Sequence, residues 1–163
     1  MNSPKIPARG NALNADEIQL FLAGYHKDPA PALVPKVFAY FDREQSLSKQ
    51  ATRGPAAGVI LALYERHPEY AADWDKAFPD LRDKARRALQ KVQSQDRPGY
   101  NDALLTRWFI LHDVAALRKV RDRADRKDAV GVSAMWALES LLGGDEAMRI
   151  EIVKYAQERQ VKA

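Results

Sequence analysis

Apolar residues recur along this chain at the three- and four-residue spacing of a helix face. Sustained strand-type alternation is almost absent, and there is no Asn-Gly or Asp-Gly hairpin turn. The clearest unit begins at Leu13. Asn14 with Glu17 three residues later has the spacing of a capping box, and Leu13 with Ile18 that of a hydrophobic staple. Ile18, Phe21, Leu22 and Tyr25 then fall on one helix face. Leu33, Val37, Phe38 and Phe41 form a second face, with Pro31 and Pro35 confined to that helix's start, where free N–H groups tolerate proline.

Gly54-Pro55 opens a third helix carrying Ala56, Val59, Ile60, Leu63 and Tyr64, and His67-Pro68 stops it. A short helix with Tyr70 and Trp74 follows. A fifth starts near Asp80, with Leu81, Ala85, Leu89 and Val92 inward. After the RPG turn at 97–99, Leu104, Leu105, Trp108 and Phe109 mark a sixth. Asp113 is a good N-cap for a seventh, bearing Leu117, Val120 and Ala124. Val132, Met135, Leu138 and Leu142 predict the inward face of an eighth, which Gly143-Gly144 ends. Asp145 caps a ninth, with Met148, Ile152 and Tyr155 inward.

The pattern predicts an all-α chain of about nine helices in successive antiparallel α-hairpins, either an α-solenoid-like array or a compact helical bundle. Residues 1–12 read as a flexible N-terminal segment and 13–163 as a single helical domain. The spacing of the breaks is irregular, 41 residues from His26 to His67 and 45 from His67 to His112, and no named helical repeat is recognisable.

Composition changes this picture little. At 163 residues, with 46% hydrophobic and 29% charged residues, the chain has ordinary globular chemistry. It has no cysteine, which removes disulfides, thiolate metal sites and a cysteine nucleophile. No apolar run approaches the ~20 residues of a membrane span. MNSPKIPARG lacks the apolar stretch of a secretory signal. The default expectation is cytoplasmic, though a mature exported chain would carry the same features. The net charge of +4 permits acidic partners without demanding them.

Four sets of residues invite a chemical reading. His26, His67 and His112 each stand at a break between helices, so an array would place them in a row. Packed helices lie about 8–10 Å apart, while a metal needs its nitrogens at about 2.0–2.1 Å. Two neighbours in the row could share an ion; the outer pair would be too far apart. The ordinary reading is that each ring ends a helix and meets a free carbonyl. The second set is RDKARRALQKVQ at 82–93, where Arg82, Lys84, Arg86, Arg87 and Lys91 face one acid, Asp83. Such a run could meet phosphates, but a solvated helix face is its usual meaning. The run at 118–128 interleaves its cations with Asp122, Asp125 and Asp128 and largely neutralises itself.

Third, Trp74, Trp108 and Trp136 fall on helix patterns; Trp108 stands at core spacing, whereas Trp136 lies at the margin of its helix and would be a binding anchor if exposed, though a buried filler between helices is the commoner role. Fourth, Glu69 and Asp73 are four residues apart and could share a face, but most acids occupy first helical turns, where they suit the helix dipole. No Walker loop, dinucleotide fingerprint, nucleophile elbow or H-E-x-x-H occurs. The expected function is a non-catalytic, protein-binding helical module of scaffold, adaptor or toxin-neutralising type, with no cofactor. The binding candidates are Arg82, Arg86, Arg87, Lys91 and Trp136. The alternatives are a nucleic-acid-binding domain using the 82–93 face and a metal-dependent enzyme using His67 or His112.

Overall fold

Local signals start and stop the helices where the pattern places them. The computed structural model describes residues 13–142 and 145–162. Asn14 caps α1 (Ala15–Ala23): its side chain accepts from the Glu17 amide at 2.9 Å, and Glu17 accepts from the Asn14 amide at 3.0 Å. The staple residues Leu13 and Ile18 are buried. Pro31 opens a 3-10 turn and Pro35 lies in the first turn of α2 (Val34–Arg43), both where no intrahelical donor is lost. The next helices are α3 (Arg53–Arg66), α4 (Ala71–Ala77), α5 (Leu81–Ser94) and α6 (Gly99–Leu111). Asp113 caps α7 (Val114–Arg123) through the Ala116 amide. Then come α8 (Ala129–Leu142) and α9 (Glu146–Lys162), the latter capped by Asp145 on the Met148 amide. Among the described residues there are nine α-helices and no strand.

The packing order is not that of a row of hairpins. The most extensive contact joins α3 to α6, two helices far apart in sequence, with α5 against α3 and α1 returning to α6. This is a helical bundle. Small residues set the α3–α6 crossing. A Cβ on Gly54 would come within 2.7 Å of the Gly99 carbonyl carbon, and one on Gly58 within 2.7 Å of the Ala103 Cα and into the Thr106 hydroxyl. The backbones therefore meet directly. Across one edge of the crossing, Arg107 donates to both Glu65 oxygens at 2.7 and 3.0 Å and to Asp113 at 2.9 Å.

The core has two parts that share α6 as a wall. Ile110 joins the cluster built on α1 to α5, whereas Leu104, Leu105 and Trp108 join the one built with α7, α8 and α9. In the first part, Phe38 stacks on Tyr64 at 5.4 Å, and Trp74 meets both rings edge-on. No helix among the described residues is long and apolar enough to cross a membrane. The expected flexible segment at 1–12 and the Gly143-Gly144 stop lie outside the described residues.

Candidate functional site

The inward face of α8 differs from the predicted one. Val130, Ala134 and Leu138 are buried, while Val132 and Met135 are exposed. The helix carries one charge, Glu139, in fourteen residues. It therefore has two apolar stripes, and spacing alone could not say which packs inward. The stripe at 130, 134 and 138 won because small Ala134 admits close approach to the α6–α7 side. The other stripe faces outward. Trp136 is 73% exposed, with Val132 and Met135 about half exposed beside it. On α9, Met148 and Ile152 are buried, while Ile150 and Val153 point away. Five large apolar side chains, three on α8 and two on α9, are thus exposed. A shallow groove along α8 is lined by Trp136, Val132, Ser133, Ala137 and Ser140, with Asp102 of α6.

The hairpin itself is held firmly from behind. Trp108 donates from Nε1 to Asp145 at 3.0 Å. Tyr155 donates to Asp122 at 2.9 Å, and Arg118 lies over the Tyr155 ring at 4.9 Å. Arg159 pairs with Asp125 at 2.9 Å. Buried Asn101 donates to the Val130 carbonyl at 3.0 Å and accepts from Arg123. The self-neutralised run at 118–128 is therefore bracing: Arg121 pairs with Asp125, Arg123 with Asp96, and Arg126 with Asp96 and Asp128.

Two of the five cations at 82–93, Arg82 and Arg87, are ion-paired. Arg82 donates to Asp75 at 2.6 Å and lies over the Tyr64 ring at 4.2 Å. Burial, with the Asp75 carboxylate beside it, pushes the Tyr64 phenol up to about 12. Arg82 is thus a lid on the aromatic cluster. Arg87 pairs with Asp83 at 2.7 Å. Arg86 is exposed and in no ion pair among the described residues. Lys91 leaves that face for a cleft it lines with Arg53 and Arg97. The structure does not bring Arg82, Arg86, Arg87, Lys91 and Trp136 together as one surface.

The histidines do not form a row. Because α1 closes onto α6, the presumed outer pair is adjacent: the His26 and His112 rings lie 4.8 Å apart, and His112 stacks on Trp108 at 3.9 Å. His112 takes a left-handed backbone (φ 55°) as the C-cap of α6. Burial, then the neighbouring His112 and Lys27 charges, lower the His26 pKa. His67 lies elsewhere. Tyr25 Oη is 2.6 Å from its Nε2, and Glu69 is 3.3 Å from its Nδ1. Burial holds the Tyr25 phenol well above its ordinary range. With Tyr25 and His67 both buried, the pair cross-braces the ends of α1 and α3. Among the described residues, no group of three or more His, Asp or Glu side chains is placed to hold a metal ion. Glu69 and Asp73 are both exposed.

No protein-family model, curated protein or solved structure matches this chain.

Proposed function

We propose that this protein is a non-catalytic protein-binding module, and that its docking surface is the outward face of the α8–α9 hairpin. The observation that supports this is Trp136, 73% exposed, with Val132 and Met135 also exposed on the same helix. A tryptophan side chain left in water forgoes the burial that makes aromatic residues favourable in cores. Contiguous apolar patches on a braced surface mark interaction sites, and tryptophan is prominent among residues that dominate binding energy. The partner is a protein presenting an apolar face, because the groove beside Trp136 is lined mostly by apolar atoms and by the small residues Ser133, Ala137 and Ser140.

The test is affinity capture from the native host after nuclease treatment, with wild type, Trp136→Glu and the Arg86→Glu/Arg87→Glu pair run in parallel. The reading expects a stoichiometric protein that is lost only with Trp136→Glu. A partner that survives Trp136→Glu but not the arginine reversal would move the function to the 82–93 face. Partners unchanged in both variants would remove both surfaces from consideration.

A further inference from the structure

A second feature lies where α3 and α6 begin. A cleft of about 660 Å³ opens there, lined by Arg53, Lys91, Arg97, Gly99 and Asp102, with Gln50 and Gln95 at its rim. That volume falls within the range of small-molecule sites. Most arginines elsewhere are paired, although Arg66 and Arg86, like the cleft's Arg53 and Arg97, are in no ion pair among the described residues. Ten arginines among the described residues are in ion pairs, namely 43, 82, 87, 107, 118, 121, 123, 126, 149 and 159. Arg53 and Arg97 are not among them. The Arg53 Nε is buried and meets no hydrogen-bond partner among the described residues. Buried guanidinium donors are costly to leave unmade.

Two further sources of positive potential converge. The helices that start at the cleft have 14 and 13 residues, and neither has a side-chain cap, with Thr52 and Pro98 at the N-cap positions. Most of their first-turn N–H groups are already bonded, Arg53 to the Lys49 carbonyl, Tyr100 to that of Arg97 and Asn101 to that of Pro98, so the helices add positive potential through their dipoles. Gly99 presents backbone there instead of a side chain. The opposing charges are also definite. The last turn of α5 brings its negative end to the rim, and Lys91 stands on that turn and offsets it. Asp102 is the one acid in the lining. Arg53 and Arg97 remain without an ion pair among the described residues.

We propose that this cleft is a binding site for a phosphate-bearing small molecule, held by Arg53 and Arg97 with Lys91 at the rim. It adjoins the apolar docking face, with which it shares Asp102, but its cations line only this cleft. Guanidinium groups recognise phosphate oxygens by paired N–H donors. The volume leaves room for a body beyond the phosphate. Asp102 weakens the site when ionised and supports it when protonated, as a donor to a phosphate oxygen. Burial raises its pKa, with no cation to offset that.

The experiment is a titration of the folded chain with inorganic phosphate and then pyrophosphate at constant ionic strength, followed by amide chemical shifts. The expected result is saturable shifts centred on Arg53–Gly54 and Arg97–Gly99. Arg53→Gln and Arg97→Gln each weaken pyrophosphate binding roughly 10-fold or more, in keeping with a lost charge-assisted bond. Arg86→Gln, outside the cleft, leaves it unchanged, and Asp102→Asn tightens it. If Arg53→Gln disturbs the fold, exposed Lys91→Gln carries the same prediction at smaller size. Absence of saturable shifts, or equal weakening by Arg86→Gln, overturns the proposal. A single-stranded oligonucleotide that displaces pyrophosphate with a steep salt dependence overturns the small-molecule assignment.

Discussion

Trp108 and Trp136 are the same residue in opposite circumstances. Trp108 is fully buried on α6, donates to Asp145 and carries the His112 ring on its face. Trp136 stands mostly in water on α8. Around Trp108, the fold supplies a carboxylate for the indole N–H and a left-handed turn at His112. Around Trp136, the inner side of the helix is well packed and the outer side is apolar with nothing against it. The difference separates what holds the chain together from what remains for another molecule.

The sharpest way to break this comparison is to truncate both tryptophans. Trp108→Ala should cost about 3–5 kcal/mol in denaturant unfolding, through the cavity it leaves and the orphaned Asp145 partner. Trp136→Ala should stay within about 0.5 kcal/mol of wild type, yet weaken partner binding by roughly 30-fold or more, as a hot-spot residue does. Comparable stability losses in the two variants would mean that Trp136 is structural.

The α3–α6 seam can be pressed next. Gly58→Ala places a methyl against the Ala103 backbone and the Thr106 hydroxyl, so thermal unfolding should show a loss of about 1–3 kcal/mol. The same change at exposed Ser140 should be nearly silent. Tyr25→Phe removes the hydroxyl that meets His67 and should cost about 1–2 kcal/mol.

The smallest effect is in pH. The His26 pKa is depressed by burial and by the neighbouring cations His112 and Lys27, while Asp145 acts in the opposite direction. The unfolded chain therefore binds a proton at this site more readily than the folded one. Stability should fall as pH drops below the ordinary histidine value of 6.5 and level off once the folded pKa is passed. His26→Gln should flatten that slope in urea unfolding measured from pH 7.5 to 5.

Much of this fold was legible in the sequence because its boundaries are local. Asn14 with Glu17, Asp113, Asp145, Pro31 and His67-Pro68 each act within a few residues, and each starts or stops a helix where read. The α3–α6 crossing was not legible in the same way. Gly54 and Gly58 show only that something comes close; that it is Gly99 and Ala103 depends on tertiary closure. The same closure set His26 against His112, which an order along the chain could not anticipate. On α8, Val132 and Met135 compete with Val130 and Ala134 for the interior at equal helical spacing, and neighbouring helices decide between them. The cleft escaped notice because Arg53, Lys91 and Arg97 come from three different segments, and only Lys91 belonged to a visible run.

The central claim is that the outward face of α8–α9 is where this protein meets its partner. The most direct measurement places a photo-crosslinking amino acid at position 136 in the native host, with the exposed position 86 as a matched control. The account predicts one dominant protein adduct from position 136 and none of the same mass from position 86, with the 136 adduct lost when Val132→Asp and Met135→Asp are added. An adduct of twice the chain mass would identify the partner as a second copy. No adduct at position 136, or the same products from both positions, would contradict the account.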